Sequence, residues 1–351
     1  MTHRQVASFV ALTLMTAALP AAAQVYPDRI PSAASARERG DRGRDRREQA
    51  REEQTEHTTK TVKIGATGEL DLANISGDIV ISRGGGQDAT IDIVKSARAR
   101  TADEAREVLG LVTVDVVERA GRAEVRTRYP SGDELRTQNR RNVHVSVTLT
   151  VTAPTGARIT ARSVSGSVSA RDIRGELTLE TVSGNVTVAN GGRISGAKTI
   201  SGNVDITGAD VEGALEASSV SGTVAIRKGK ANRLALSTVS GGVSLEDVAC
   251  QRAELQAVSG DVSLTGALAA GSRYEMSSHS GEVRIALSGD TGFELDATSF
   301  SGSIRSDLPL TGQTGGNDRR GRQHALKGVF GNGSAVLDVT TFSGSIVISK
   351  R

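Results

Sequence analysis

The side chains best suited to chemistry are few and scattered along this chain. There is one cysteine, Cys250, and no short spacing brings together any of the five histidines. A single thiol excludes an intramolecular disulfide and any multi-thiolate metal site. The histidines also lack the paired spacing of zinc ligands. We therefore expect no metal, no cofactor and no catalytic residue at these positions.

Carboxylates and hydroxyls are more numerous, but they do not form a catalytic pattern. A glycan-cleaving β-helix needs clustered carboxylates on one face, and the acidic residues here do not recur at one repeat position. Serine and threonine do recur, without an accompanying histidine or lysine, so we expect them to satisfy backbone groups. Gly84-Gly85-Gly86 precedes a strand pattern and not a helix, which favours a turn over a phosphate loop. The sequence predicts a protein that is not an enzyme.

One basic, glycine-rich stretch, 306–334, could contact another molecule. Its cationic side chains could meet anionic lipids or cell-wall polymers. The alternative is a solvated loop or hairpin that covers the last repeats. The candidate contact residues are Arg319, Arg320, Arg322 and Lys327.

A repeat provides the strongest signal in the chain. A Ser-Gly pair preceded by a Ser/Thr-x dipeptide recurs, with minor variation, at successive glycine intervals of 18, 18, 20, 19, 19, 21, 21 and 42 residues. Self-similarity at about 20 residues is typical of a solenoid. Glycine tolerates the backbone angles that a corner between two strands requires. The predicted corner glycines are Gly166, Gly184, Gly202, Gly222, Gly241, Gly260, Gly281, Gly302 and Gly344.

Within a repeat, apolar residues alternate as they do in β-strands. From Leu177 to Val188 leucines occupy every second place and valines then take over with a phase slip of one residue, which indicates a bend. We place the slip before the valine, so that Val182, Val220, Val239 and Val258 face inward and stack in one column. The predicted fold is all-β: a single-stranded, right-handed parallel β-helix-like solenoid of about 20-residue repeats over 161–351, with a loop insertion at 306–334.

Residues 61–160 are expected to form an N-terminal cap on this solenoid. Short alternating segments there predict strands, and Thr101-Ala102-Asp103-Glu104 is a capping box that predicts one short helix, to about Leu109. A terminal repeat would otherwise expose an unpaired strand edge.

The first 60 residues have a different character. Arg4, an apolar run from Val6 to Leu19 and a small-residue site before Gln24 predict a signal peptide over 1–23, cleaved between Ala23 and Gln24. This predominantly apolar run of 14 residues is shorter than the roughly 20 needed to span a bilayer. Residues 24–60 follow as a disordered charged linker, with seven basic and seven acidic side chains between Arg37 and Glu56.

Composition agrees with a thin, repeated core and gives no sign of a nucleic-acid partner. The 351 residues include 40 glycines, no tryptophan and only five phenylalanines. Aromatic anchors are therefore scarce, and small β-branched side chains must fill the interior. Basic and acidic residues nearly balance at 43 and 40, so net charge predicts no polyanion binding.

Three segments together resemble a known family. The run Val145–Pro154 leads into iterated Val-Ser-Gly-x-Val units, followed by 292–304 with Thr-Ser-Phe-Ser-Gly-Ser-Ile and by Thr341-Phe342-Ser343-Gly344-Ser345-Ile346. This is similar to the toastrack family, β-strand-repeat domains of unknown function also called the putative adhesin family, over roughly 61–351. The resemblance implies a solenoid of the bacterial envelope, linked to adhesion or envelope stress, with no known catalytic residues to carry over.

The expected function is that of a non-enzymatic exported scaffold in the periplasm or outside the cell. Its partner would be an envelope protein or a cell-surface polymer, and the mature chain would contain no transmembrane segment. Two alternatives remain open: a glycan-active β-helix enzyme, and a passive structural module of a stress-response complex.

Overall fold

The architecture is taken from a computed structural model that describes residues 52–130, 143–316 and 324–351. All of these residues belong to one compact unit, 50–351. They form 25 strands and a single helix, so the predicted all-β solenoid is confirmed.

The elements before the regular repeats include the helix α1 (Ala102–Leu111), which lies between the fourth and fifth strands. The seven strands here are β1 (Glu52–Lys63), β2 (Glu69–Ser76), β3 (Ile79–Gly84), β4 (Asp88–Ala99), β5 (Thr113–Arg119), β6 (Arg122–Arg128) and β7 (His144–Pro154).

The remaining strands carry the repeats. They are β8 (Arg158–Ser165), β9 (Val168–Arg171), β10 (Glu176–Ser183), β11 (Val186–Ala189), β12 (Arg193–Ser201), β13 (Val204–Thr207), β14 (Asp210–Ser221), β15 (Val224–Ser240), β16 (Val243–Ser259), β17 (Val262–Gly266), β18 (Arg273–Ser280), β19 (Val283–Leu287), β20 (Phe293–Ser299), β21 (Ile304–Ser306), β22 (Thr311–Thr314), β23 (Ala325–Phe330), β24 (Ala335–Ser343) and β25 (Ile346–Lys350).

Each repeat forms one rung of two strand segments that meet at the Ser-Gly corner. The segment before the corner pairs in parallel with its equivalents in neighbouring rungs, as in Leu177 opposite Ile159. The segment after the corner does the same, as in Val186 opposite Val168 and Val204. In-register pairing therefore places equivalent repeat positions in columns along the solenoid.

The core consists of the inward columns of these rungs. In β10 the buried residues are Leu177, Leu179 and Thr181, and in β11 they are Val186 and Val188. The phase slip thus follows the valine at position 182 and does not precede it. Burial of small and β-branched side chains at every rung replaces one central cluster of aromatic residues.

The expected N-terminal cap contains more of the solenoid than the sequence indicates. β2 and β3 form a full rung, with β2 paired to β8 and β3 to β9. Outside that rung, β6 pairs with β2, while β7 pairs in parallel with β3 and in antiparallel with β4. Helix α1 begins at the predicted N-cap, where Thr101 Oγ1 accepts a hydrogen bond from the Glu104 amide at 3.2 Å.

The charged linker predicted to reach residue 60 ends earlier, because β1 begins at Glu52. All twelve residues of β1 pair in antiparallel with β4. Cross-strand polar pairs compensate for the lack of apolar residues, and Glu53 bonds Ser96 at 2.6 Å and Arg98 at 2.9 Å. Hydrogen bonds from Ser96 and Arg98 lower the pKa of the Glu53 carboxyl. Backbone pairing therefore orders a sequence whose side chains alone favour a solvated chain.

At the C-terminal end the rungs do not stack in chain order. The last rung, β24 and β25, pairs on one side with β18 and β19. On its other side it pairs with β20 and β21. The last rung is thus inserted between two rungs that precede it in the sequence, and the antiparallel strands β22 and β23 continue the sheet beyond β20.

Candidate functional site

The predicted corner glycines lie between the two strand segments of their rungs, where a side chain would not fit. A Cβ atom built on any of the nine would lie 1.7–2.3 Å from the carbonyl oxygen of the glycine in an adjacent rung. Five of them, including Gly222 at φ +151°, also adopt backbone angles that disfavour other residues. The corner is a place of close backbone contact and offers no space for a ligand.

A column of buried polar residues, here called the hydroxyl column, precedes each corner by three residues. Its side chains are only 1–5% exposed. Thr181, for example, donates to the Gly166 carbonyl at 2.8 Å, and Thr238 donates to the Gly222 carbonyl at 2.9 Å. Hydroxyls bonded in this way stabilise the corner backbone and face away from solvent, whereas those of Ser163 and Thr341 are buried without a hydrogen-bond partner. The column comprises Ser163, Thr181, Thr199, Ser219, Thr238, Ser278, Thr341 and Ser299, with Asn74 in the first rung and Ala257 as its apolar exception.

The residue between the hydroxyl column and the corner serine faces solvent at ten rungs. We call this line of side chains the ridge. Its members include Val182 at 43% exposure and Phe300 at 73%. In spatial order the ridge is Ile75, Val164, Val182, Ile200, Val220, Val239, Val258, His279, Phe342 and Phe300.

The ridge corrects the expectation that these valines face the core. Val182, Val220, Val239 and Val258 do fall in one column, but all are exposed. The inward place is taken by the small hydroxyl residue one position earlier, whose hydrogen bond to the neighbouring glycine makes its burial favourable. The sequence contains one signal of this arrangement: His279, an ionisable residue, and two phenylalanines occupy the same repeat position as the valines.

The ridge ends in a stack of three rings. His279 and Phe342 lie 4.8 Å apart between ring centroids, as do Phe342 and Phe300, with interplanar angles of 8° and 6°. The spacing equals that of parallel strands. The insertion of the last rung therefore brings together three rings that are far apart in the sequence.

A groove of about 840 Å³ follows the other half of the ridge. One wall is the ridge from Ile75 to Val220, and the opposite wall includes the aliphatic stems of Arg162 and Lys198. Residues of β6, among them Arg126 and Arg128, line its N-terminal end. The groove runs across five rungs. Apolar atoms contribute most of its surface, although polar and charged residues, among them Glu180, also line it.

Only one of the predicted anionic-surface contacts can be placed. Arg319, Arg320 and Arg322 lie outside the described residues. Lys327 lies in β23, where its Nζ is 2.6 Å from Asp296 Oδ2. Its side chain is exposed, so this pair leaves it accessible.

The remaining chemical groups do not assemble into a second site in the part of the chain that the structure describes. Cys250 is buried, and burial raises the pKa of its thiol. No group of three histidine, cysteine or acidic residues within 52–130, 143–316 and 324–351 could hold a metal ion. Among the same residues, no helix is long and apolar enough to cross a membrane.

The corner also contains a short ladder of hydrogen bonds that the repeat pattern alone does not indicate. The Asn203 amide donates to Asn185 Oδ1 at 2.9 Å, and the Thr223 amide donates to Asn203 Oδ1 at 2.9 Å. Stacked polar side chains after the glycine thus bridge successive rungs. They hold the turn backbone beside the ridge.

These features define a parallel β-solenoid with Ser-Gly corners and a solvent-facing apolar ridge. The family model Toastrack DUF4097 matches residues 67–349, and the chain belongs to this family. No curated protein matches the chain.

Solved structures of three other proteins are similar to most of this chain. A "putative lipid binding protein" from Parabacteroides distasonis ATCC 8503 has 12% identity, covers 84% of this chain and 96% of its own, and gives a TM-score of 0.42. A "putative adhesin" from Bacteroides fragilis NCTC 9343 has 13% identity, with 84% and 97% covered and a TM-score of 0.40. A "putative cell adhesion protein" from Clostridium sporogenes ATCC 15579 has 11% identity, with 85% and 100% covered and a TM-score of 0.27.

Proposed function

We propose that this chain is an exported, non-enzymatic binding scaffold of the bacterial envelope, adhesin-like, whose binding surface is the ridge. The observation that carries the proposal is the exposure of apolar side chains at one repeat position in nine of ten rungs, with His279 at the tenth. Contiguous exposed apolar surface of this kind marks an interaction site. Family membership supports the proposal, since the resemblance implies an envelope solenoid linked to adhesion or stress.

Folding alone does not account for the ridge composition. A polar β-branched residue such as threonine would serve a strand exposed on this face equally well. The ridge instead has valine, isoleucine, phenylalanine or histidine at every rung. With nine intervals of about 4.8 Å it is roughly 43 Å long. A surface of this length suits an extended partner.

The proposal is tested with envelope fractions and matched valine variants. We expect purified mature protein to co-sediment with isolated envelope material, and Val239→Ser/Val258→Ser to reduce the bound fraction severalfold. The control is Val80→Ser, because Val80 is 39% exposed but lies on β3, away from the ridge. Equal retention of all three proteins would contradict a ridge-mediated scaffold.

Export is part of the same proposal. The signal peptide predicted over 1–23 supports cleavage between Ala23 and Gln24 and release to the periplasm or the exterior. N-terminal sequencing of the protein from fractionated cells should find Gln24 as the first residue. Retention of Met1–Ala23 in a membrane pellet would contradict this proposal.

The basic excursion offers a second contact within the proposed scaffold. Arg319, Arg320, Arg322 and Lys327 would meet an anionic lipid or cell-wall polymer. Neutralising all four to glutamine should lower binding to vesicles that contain anionic phospholipid and leave binding to neutral vesicles unchanged. Unaltered binding to both would leave 306–334 as a solvated cover for the last rungs.

The enzymatic alternative makes a separate prediction. A glycan-active β-helix would release reducing ends from cell-wall or plant polysaccharides. The proposal expects no turnover by the purified mature chain, because the repeated hydroxyls are buried and most of them donate to glycine carbonyls. Catalytic release of sugar would replace the scaffold with the enzyme hypothesis.

A further inference from the structure

A cationic residue lies next to the N-terminal end of the ridge. β2 pairs in parallel with β6, and Ala73 lies opposite Arg126. Two residues farther along, the same register places Arg128 opposite Ile75. The Ile75 amide donates to Thr127 Oγ1 at 3.3 Å, which keeps the two chains adjacent there. Arg128 therefore occupies the ridge position of the outermost rung, in line with Ile75, Val164 and Val182. A positive charge stands at one end of an apolar line.

The groove beside this line is elongated, and the ridge gives it an apolar wall along its length. From Ile75 to Val220 it crosses four rung intervals, about 19 Å at the spacing of parallel strands. One leaflet of acyl chains spans roughly 15 Å, half of a bilayer's hydrocarbon core. The groove is therefore long enough for a single extended acyl chain lying along the solenoid axis.

The charges on the opposite wall are already satisfied. Arg162 pairs with Glu180 at 3.2 Å, and Lys198 pairs with Glu216 at 2.8 Å. What these side chains offer to the groove is their aliphatic stems. The hydroxyls of Thr181 and Thr199 donate to glycine carbonyls, so they are not free to donate to a ligand in the groove.

The cationic end is available to an anion. Arg128 pairs with Asp115 at 2.7 Å, yet its side chain is 73% exposed, and such surface pairs are weak. Arg126 lies beside it, paired with Glu124 and 61% exposed. A guanidinium fork binds a carboxylate through two parallel hydrogen bonds. A ligand carboxylate can therefore replace the intramolecular partner.

The dimensions argue against a folded protein at this groove. A strip about 19 Å long and one side chain wide falls far below the roughly 800 Å² per partner of a stable protein interface. We infer that the groove binds a long-chain fatty acid, with its acyl chain against Ile75–Val220 and its carboxylate on Arg128 and Arg126. This inference deepens the proposed function, since it assigns one ligand class to the N-terminal half of the ridge.

Titration calorimetry of the mature chain with palmitate below its aggregation concentration tests the inference. We expect saturable one-to-one binding, with octanoate weaker by roughly 100-fold or more because each lost methylene removes buried apolar surface. Val182→Glu and Ile200→Glu should each lower the affinity for palmitate at least tenfold. Val239→Glu is the matched control, at the same repeat position and 48% exposed but outside the groove lining, and should bind as the parent does.

The head-group assignment has its own readout. Arg128→Gln should lower the affinity for laurate severalfold while changing the affinity for 1-dodecanol less than twofold. The control Arg305→Gln should alter neither affinity. Thermal unfolding establishes that each variant is folded. The inference is overturned if palmitate does not saturate, if Val239→Glu and Val182→Glu lose binding equally, or if Arg128→Gln affects the alcohol as much as the acid.

The two proposals fail independently. Envelope binding that depends on Val239 and Val258, together with no palmitate binding, would contradict the fatty-acid site and support the scaffold proposal. Palmitate binding by a chain that does not associate with envelope material would support the fatty-acid site and contradict the scaffold proposal.

Discussion

Glycine at the rung corner is required by the distance between neighbouring backbones. Each corner carbonyl approaches the glycine of the next rung so closely that no Cβ atom fits. Because glycine has no Cβ, this carbonyl stays accessible, and the buried hydroxyl three residues before the glycine donates a hydrogen bond to it. The two residue types therefore act as a pair, which explains why they recur together.

Gly222→Val should destabilise the protein much more than Thr223→Val. A Cβ at 222 would lie 1.9 Å from the Gly202 carbonyl oxygen, and the backbone at φ +151° adds strain on the order of 1–3 kcal/mol. Thr223 is exposed, so its replacement should change the free energy of unfolding by about 0.5 kcal/mol or less. Urea unfolding gives both values, and equal midpoints would refute the corner geometry.

Hydroxyl substitutions should change stability in opposite directions at two rungs. Thr238→Ala removes the donor to Gly222 and should cost about 1 kcal/mol. Ala257 occupies the same column and is 6% exposed, so Ala257→Thr places a hydroxyl near the Gly241 carbonyl. We expect that variant to gain about 0.5–1.5 kcal/mol in free energy of unfolding. A loss of stability on Ala257→Thr would show that the column does not act through this bond.

A strand with alternating apolar residues can be assigned either of two phases, and the choice decides which of its side chains face solvent. The repeat, its period and the two-strand rung could be predicted from sequence because each is periodic in the residues themselves. The orientation of Val182 could not, since a one-residue slip fits equally well before or after it. What decides it is the bond from buried Thr181 to Gly166, a contact between rungs.

The same limit applies to β1. Its sequence from Glu52 to Lys60 has no apolar periodicity, and side-chain composition indicates a solvated chain. Its order comes from backbone pairing with β4, whose partner residues are 31–47 positions away in the sequence, from Lys60 opposite Ile91 to Glu52 opposite Ala99. Local pattern does not encode a partner at that distance.

The exposed phase of the ridge predicts unequal effects within β14. Val220→Asp should lower the free energy of unfolding by only about 1 kcal/mol, because the side chain is 47% exposed. The main cost is the lower preference of aspartate for a β-strand. Leu215→Asp, on the same strand but 1% exposed, should cost several kcal/mol by burying an unpaired carboxylate. Thermal and urea unfolding compare the two. Greater damage from Val220→Asp would mean that the valine faces the core.

The whole molecule is a stack of rungs whose order differs from the order of the chain. The interval of 42 residues between Gly302 and Gly344 is twice the usual period, which is consistent with one skipped rung as well as with an insertion. Only the pairing of β24 with both β18 and β20 distinguishes these arrangements. This order gives the ridge its ring stack and makes it continuous to the C-terminal end.

Cysteine crosslinking tests this continuous outward ridge most directly. In a Cys250→Ser background, cysteines at 279 and 342 occupy adjacent ridge positions, whereas cysteines at 279 and 300 are separated by the inserted rung. The account predicts that a short crosslinker joins 279 to 342 rapidly in the folded protein and leaves the pair 279 and 300 largely unjoined. Efficient joining of 279 to 300, with 279 and 342 unreacted, would contradict the stacking order and the ridge built on it.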